Sequence, residues 1–154
     1  MREIRFRGES IDGNEMLYGH YSNAVEKGDL STWGGACEKM ETLLHYIDNN
    51  VVYPNTVGQF TGLHDKNGVE IYEGDIIKAH YANAKRTEDI LEIQFDKGRF
   101  EAVKKLGEQG HVSMSIADGI PHLKIDKSPY MDSCEVLGNI YENPELLDER
   151  AEVG

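Results

Sequence analysis

The segment TGLHDKNGVEIYEGDII, from Thr61 to Ile77, holds the densest group of side chains in this chain that could bind an ion or a phosphate. It combines four acidic residues with one histidine, one lysine and three glycines. Carboxylate oxygens at regular spacing are the ligands that calcium prefers, and glycine-rich loops with a lysine cradle phosphates. Residue spacing decides whether either site can form.

Neither spacing is present. An EF-hand loop requires a glycine at its sixth position and a glutamate at its twelfth. Counted from Asp65, Gly68 comes two positions early, and Asn67 is the only oxygen ligand at the third position. A Walker loop requires GxxxxGK followed by Ser or Thr, but the interval from Gly62 to Gly68 is longer and no lysine follows it. We therefore do not predict a calcium or nucleotide site here.

The same glycines fit bent backbone. Asn67-Gly68 is a strong hairpin signal, because both residues tolerate the positive φ of a type I′ turn. Gly74 permits a sharp turn before the apolar strand DII begins, and Asp75 is placed to accept backbone amide protons there. We predict that this segment folds a sheet and binds no ligand.

Other reactive side chains do not assemble into a site in the sequence. The six histidines are isolated, without HxH or HExxH spacing: His20, His45, His64, His80, His111 and His122. No GxSxG elbow surrounds Ser113 or Ser115. Cys37 and Cys134 each precede a glutamate, which is expected to raise a thiol pKa. No nucleophile with a base is found, so we predict no catalytic residues, no metal site and no cofactor.

The charge balance helps to decide whether the partner is a nucleic acid. Lys and Arg number 16 against 28 Asp and Glu, a formal net charge of −12. Proteins that grip phosphates gain affinity from Lys and Arg, so direct nucleic-acid binding is not favoured. The acidic residues are expected to keep the protein solvated and its monomers apart. The alternative is that rows of carboxylates mimic a nucleic acid. With no apolar run long enough for a membrane span and no leader pattern, we expect a cytoplasmic protein.

Strand patterns dominate the chain. Residues alternate between apolar and charged from Glu3 to Arg7, and Asp12-Gly13-Asn14 can supply the positive φ of a hairpin that returns through Leu17 to Tyr21. The polar segment from Ser22 to Met40 is predicted to be an excursion or loop. After Ala36, apolar residues at helical spacing as far as Ile47 compete with two strands about the turn DNN. From these residues we predict a short helix from about Ala36 to Glu41 that runs into a strand.

The second half is predicted to be a small barrel. DIIKAHYA and DILEIQF are strand-like, and QF-DKG-RFEAV is a hairpin with Gly98 in the left-handed region. A weaker strand pair surrounds Asp118-Gly119, and SCEVLGNIY is a late strand. Asn143 and Pro144 begin a short carboxyl-terminal helix.

Tyrosine is enriched at interface hot spots, and four tyrosines cluster in the first third of the chain. These candidate interface residues are Tyr18, Tyr21, Tyr46 and Tyr53. Packing in the core or in the wall of the barrel is the alternative role for them.

The blocks MREIRFRG, TVGQFTGLHDKNGVEIYEGDII, IQFDKGRFEAV and CEVLGNIYENPELL resemble the YopX family of phage and prophage proteins in order and approximate spacing. The resemblance spans nearly the whole chain, apart from variable segments near 22–40 and 107–127. It implies a mainly β protein with an open barrel core, encoded by a phage or prophage, and it favours strands on both sides of DNN. The resemblance implies no catalytic residues. Separately, EGDIIKA followed by the DKG hairpin is similar to the opening of an SH3-like barrel, which is an analogy of shape alone.

We therefore predict one mainly β domain with a small open β-barrel, SH3-like in character, an amino-terminal β-hairpin layer and short helices. Its parts are 1–55 with the hairpin and excursion, 56–141 with the barrel, and 142–154 with the helix and tail. The predicted function is a non-enzymatic protein-protein interaction module that binds a host or phage protein and is itself a candidate homo-oligomer. The alternative is a nucleic-acid-associated protein.

Overall fold

The structure is a computed structural model, and it describes residues 4–13, 15–30, 38–81, 88–106, 110–115 and 131–147. Two compact units divide the chain. The first is Ile4–Gln59, and the second is Phe60–Gly154 together with Met1–Glu3. The single domain and its internal bounds stay predictions.

The first unit consists of two antiparallel sheets and one 3-10 turn. β1 pairs with β2 as the predicted amino-terminal hairpin, and the first residues of β6 pair with the other edge of β1. Its elements are β1 (Phe6–Glu9), β2 (Met16–Gly19), β3 (Tyr21–Leu30), β4 (Glu38–Ile47), β5 (Asn50–Val52) and the 3-10 helix Pro54–Thr56.

The hairpin turn between β1 and β2 is longer than predicted. The N–H of Ser10 donates to the carbonyl of Glu15 at 2.9 Å, which closes a loop of four residues. Neither Asp12 nor Gly13 has a positive φ. The two-residue primed turn demands a positive φ, so Asp12-Gly13 is not such a turn.

The loop prediction for Ser22–Met40 is wrong wherever the structure describes that segment. β3 pairs with β4 in continuous antiparallel register, from Tyr21 opposite Ile47 to Leu30 opposite Glu38. The helix predicted over 36–41 is likewise wrong at 38–41, which belong to β4. Cross-strand pairing overrides local propensity here, since strand preference depends on the partner that the residues meet.

The alternative of two strands about DNN is correct. β4 and β5 pair with Ile47 opposite Asn50, and the two residues between them, Asp48 and Asn49, have φ of 45° and 70°. Positive φ at both central residues is the requirement of a type I′ hairpin.

The second unit is built on a five-stranded antiparallel sheet in the order β11-β10-β9-β8-β12. The later residues of β6 pair with β7 across a register shift at Gly62, whose φ is 85°. The strands are β6 (Gly58–His64), β7 (Glu70–Tyr72), β8 (Asp75–Tyr81), β9 (Glu88–Asp96), β10 (Arg99–Leu106), β11 (Gly110–Ser115) and β12 (Met131–Asn139). The prediction of a mainly β protein is confirmed, with a curled half-barrel sheet and short helical turns.

The core of the second unit lies on one face of this sheet. Alternate residues of β8, β9 and β10 point to that face, as the two-residue period of a strand requires. The buried cluster consists of Ile71, Ile77, Ala79, Leu91, Ile93, Phe100, Ala102 and Cys134.

The carboxyl-terminal helix is a single 3-10 turn, Pro144–Leu147. The N–H of Leu146 donates to the carbonyl of Asn143 at 3.1 Å, so the turn begins at the predicted residue. Of the predicted pair around Asp118-Gly119, residues 111–115 belong to β11, which pairs with β10. The rest of that pair and the tail from 148 onward lie outside the described residues.

Candidate functional site

The corner between β6 and β7 is made by Asp65 to Val69. The N–H of Asp65 donates to the carbonyl of Val69 at 2.8 Å, and the N–H of Gly68 donates to the carbonyl of Asp65 at 3.0 Å. Gly68 has a φ of 83°, but Asn67 is not in the left-handed region, so the predicted type I′ geometry at Asn67-Gly68 is wrong. An aspartate side chain that accepts the amide of the residue two positions later supports a turn without positive φ there.

The Asp65 carboxylate is the centre of this corner. Its Oδ1 accepts the N–H of Asn67 at 2.7 Å and that of Val69 at 2.9 Å. Its Oδ2 accepts the N–H of Val136, a residue of β12 that is 71 positions away, at 3.1 Å. One buried side chain thus closes a local turn and attaches it to a distant strand.

These contacts set the protonation of Asp65. Burial raises its pKa, but the hydrogen bonds donated by the amides of Val69, Val136 and Asn67 lower it by more, so the pKa of Asp65 lies below its usual value of 3.8. Hydrogen bonds to the ionised form stabilise that form. Asp65 therefore acts as a fixed acceptor and not as a proton donor at neutral pH.

Lys66 adds a second attachment to the same strand. Its N–H donates to the carbonyl of Cys134 at 3.0 Å, and its Nζ lies 2.6 Å from Oε2 of Glu135. The corner therefore contacts consecutive residues of β12 through backbone and side chain.

Gly74 and Asp75 form a second corner, between β7 and β8. Gly74 has a φ of 82°, its N–H donates to the carbonyl of Ile93 at 2.8 Å, and its carbonyl accepts the N–H of Ile140 at 2.9 Å. The carboxylate of Asp75 is 1% exposed and accepts the N–H of Tyr72 at 2.7 Å. That these residues serve the backbone and hold no ligand stays a prediction.

Gly98 lies in the two-residue turn of the β9–β10 hairpin, where Asp96 is opposite Arg99. Lys97 and Gly98 have φ of 47° and 85°, the type I′ pattern. Sequence reasoning placed the glycine but not the left-handed lysine beside it.

Cys134 is the described thiol, and it belongs to the core of the second unit. Burial raises the pKa of the Cys134 thiol to about 11, with a further increase from the charge of Asp65. The predicted direction holds, but the neighbouring Glu135 is not the cause. Cys37 lies outside the described residues.

Among the residues that the structure describes, no group of three or more His, Cys, Asp or Glu is arranged to hold a metal ion. Of the histidines, His20, His45, His64 and His80 have described side chains, and they are distributed over β2–β3, β4, β6 and β8. The side chains of Ser113 and Ser115 are outside the described part. The described helices include none that is long and apolar enough to cross a membrane.

The four candidate tyrosines do not form one patch on one face of a sheet. Tyr21 is opposite Ile47 and the next residue, Ser22, is opposite Tyr46, so Tyr21 and Tyr46 point to opposite faces of the β3–β4 pair. Tyr18 on β2 is 54% exposed, and Tyr53 after β5 is 42% exposed. Their role at an interface stays a prediction.

Two of these tyrosines are held by polar contacts. The Tyr21 hydroxyl and Nδ1 of His45 share a hydrogen bond of 2.6 Å, and the Tyr21 ring lies 5.3 Å from that of Phe6. Tyr46 donates to Oε1 of Glu26 at 2.8 Å, which raises the pKa of Tyr46, as do partial burial and the carboxylate charge. Such contacts fix the rings of Tyr21 and Tyr46, and Tyr18 and Tyr53 are the more exposed pair.

The strands β3 and β4, which we call the β3–β4 ribbon, carry exposed residues of the first unit. Val25 and Leu43 are directly opposite each other on one face and are 54% and 52% exposed. Among the strands that the structure describes, β3 lies at the edge of its sheet, and β5 pairs with β4 only at His45 to Ile47. An edge strand next to an exposed apolar cross-strand pair can add another strand or bind an apolar surface.

Sequence reasoning missed both the ribbon and the role of Asp65. Alternation in NAVEKG was obscured by Asn23 and Gly28, and both faces of β3 are exposed from Ser22 to Lys27, so no buried apolar side marks that part of the strand. For Asp65, the spacing D-x-N-G was an available signal, because aspartate favours a bond to the amide two residues later.

The strand order, the hairpins and the corners define a small antiparallel β protein built from two units. The family model described as YopX protein matches residues 5–148. This chain belongs to the YopX family.

A solved structure, the crystal structure of protein EF1440 from Enterococcus faecalis, is similar over 96% of this chain and 99% of that chain, with 25% identity and a TM-score of 0.49. The comparison with curated proteins finds no match.

We predict that Gly74→Ala destabilises the protein more than Gly68→Ala. Both glycines have nearly the same φ, so both substitutions cost about 1–2 kcal/mol of backbone strain. A Cβ at position 74 would also lie 3.1 Å from Cε2 of Tyr141, whereas a Cβ at position 68 would have no described neighbouring atom within 4 Å. Crowding adds about 1 kcal/mol or more to the free-energy loss at position 74. Urea unfolding of both variants measures the difference, and equal midpoints would contradict the packing argument.

We predict that Asp65→Asn lowers the free energy of unfolding at pH 7 by about 1–3 kcal/mol, because an amide nitrogen would face a backbone donor. The folded-state pKa of Asp65 is below the unfolded value, so its stabilisation is complete above pH 3.8 and is lost as the pH falls through the folded pKa. The stability difference between wild type and variant should therefore shrink below pH 3.8.

The control is Asp96→Asn, since the Asp96 side chain is 54% exposed and its ion pair is with the exposed Lys97. We expect a loss of less than about 1 kcal/mol. Denaturant unfolding from pH 7 to pH 2 measures both variants. If both substitutions changed the free energy of unfolding equally at every pH, a special role for Asp65 would be contradicted.

We predict that Cys134 reacts slowly with iodoacetamide in the folded protein. The thiolate is the reacting form, and a pKa of about 11 leaves on the order of 100-fold less of it at pH 8 than an ordinary thiol has. A Cys37→Ser variant isolates this thiol, and the same variant in urea is the reference. Labelling at the same rate in both conditions would contradict the burial of Cys134.

Proposed function

We propose that this YopX-family chain is a non-enzymatic protein-binding module, encoded by a phage or prophage, that acts in the cytoplasm of its bacterial host through the β3–β4 ribbon. The observation that carries the proposal is the Val25–Leu43 pair. Two apolar side chains lie in direct cross-strand contact distance, and each is more than half exposed.

The surroundings of this pair support a binding role. Ala24, Glu26 and Lys27 on β3 are also exposed, so this part of the ribbon is in water on both faces. A two-stranded ribbon in water is only marginally stable, because it buries little apolar surface. Covering one face or one edge with a partner would supply that burial.

The arrangement of charge argues for a protein partner over direct nucleic-acid contact. Described cations of the second unit already have carboxylate partners, and such pairing leaves little charge for phosphates. These pairs are Lys66–Glu135, Lys78–Glu88, Lys97–Asp96, Arg99–Glu101 and Lys104–Asp89. Together with the net charge of −12, they make association with nucleic acid the second candidate.

We predict that Val25→Thr combined with Leu43→Thr abolishes partner binding and leaves the fold intact. Threonine has the β-branched shape that strands favour, and it removes apolar contact area from the ribbon. Val69→Thr is the matched control, because Val69 is 48% exposed and lies in the second unit. The readout is quantitative affinity purification of the tagged full chain from host cells.

Proteins enriched on wild type and on Val69→Thr should be lost from the ribbon variant. Equal recovery on all three forms would overturn the ribbon as the binding surface. Saturable binding of the purified chain to a polynucleotide that weakens as salt rises would instead favour the nucleic-acid candidate. Urea midpoints of the variants verify that each remains folded.

A further inference from the structure

The outer edge of β3 carries an inference that rests on the proposed binding function of the ribbon. We propose that the β3 edge pairs antiparallel with the β3 edge of a second copy of this chain, with Val25 of one copy opposite Val25 of the other. The result would be a continuous sheet in the order β4-β3-β3-β4 across a two-fold axis. Two-fold pairing is isologous, so one surface serves both copies.

Strand geometry restricts the registers of such a pairing. In an antiparallel pair, opposed residues either both direct their backbone N–H and C=O groups towards the partner or both direct them away. These orientations alternate along β3, so residues of the same parity must be opposed. The two-fold axis must therefore pass through a residue position and not between two residues.

Two registers use all but one residue of β3. In the first, Val25 is opposite its copy and positions 21–29 are paired. In the second, Glu26 is opposite its copy and positions 22–30 are paired. The second register places two carboxylates directly across from each other, which is destabilising.

The Val25 register avoids that repulsion. It opposes Ala24 to Glu26 and Asn23 to Lys27, so none of these positions meets a residue of the same charge. Shifting the axis to Lys27 would oppose two lysines, and shifting it to Ala24 would place Val25 across from Asn23. Charge and polarity therefore select the register centred on Val25.

The same register unites the exposed apolar residues. Val25 is opposite Leu43 within the ribbon. Pairing through β3 would extend this to a row across four strands, in which Leu43 and Val25 of one copy continue into Val25 and Leu43 of the other. Directly opposed side chains have Cβ atoms about 4.5–5.5 Å apart, so the row would cover surface that is exposed in one copy.

The net charge limits the strength of this dimer. Each copy carries −12, so the two copies repel each other, and added salt screens that repulsion. A single edge-to-edge pairing is also smaller than the roughly 1,200 Å² of a standard interface. We therefore expect dissociation in roughly the micromolar range, with tighter association at higher salt.

Sedimentation equilibrium of the full chain tests the pairing, over roughly 1 to 300 μM to bracket that expected affinity. Wild type and Val69→Lys should form dimers, and Val25→Lys should be monomeric throughout, because it would oppose two lysines at the axis. Persistence of the dimer in Val25→Lys would overturn the proposal. A monomeric wild type at every concentration would also overturn it. The ribbon's role in protein binding would then be judged separately by the affinity purification.

Cysteine cross-linking tests the register without relying on a charged substitution. In a Cys37→Ser background, Val25→Cys should form an intermolecular disulfide when the thiols are oxidised with diamide, since opposed strand residues meet the Cα distance of a disulfide. Glu26→Cys should not cross-link, because in this register position 26 is opposite Ala24 of the other copy and is two residues from its own counterpart. Cross-linking at position 26 and not at 25, or at neither position, would overturn the assigned register.

Discussion

The Asp65 carboxylate is the polar constraint on which the second unit depends. It accepts amides of its own turn and the amide of Val136 on β12. Its burial is tolerated because both oxygens are hydrogen-bonded, whereas an unpaired buried carboxylate would be strongly unfavourable. With Lys66 bonded to the carbonyl of Cys134, this corner fixes where the β6–β7 hairpin meets the last strand of the sheet.

Gly74 has a comparable role on the other side of the same hairpin. Its two backbone bonds, to Ile93 and from Ile140, join β9 to the segment that follows β12. Glycine suits this position because its φ is in the left-handed region and a Cβ there would crowd the Tyr141 ring. The carboxylate of Asp65 and the missing side chain of Gly74 thus have the same effect. Each allows distant strands to bond to the short β6–β7 hairpin.

The β3–β4 ribbon carries an apolar cross-strand pair, Val25 and Leu43, that is not in a core. The buried residues of the first unit include Ile47 and Val52, at the end of the ribbon where β5 pairs with β4. Beyond that end, Val25 and Leu43 remain in water. The proposed binding function rests on this exposed pair.

Local chemistry in the sequence determined the hairpin turns at Gly98 and at DNN, the strands that flank them, and the blocks that mark the family. A turn is fixed by the φ that its own few residues can adopt. The tertiary structure alone decided that β3 is a strand and that Asp65 reaches Val136. Both depend on backbone groups brought together from distant positions, and local spacing carries no signal for such partners.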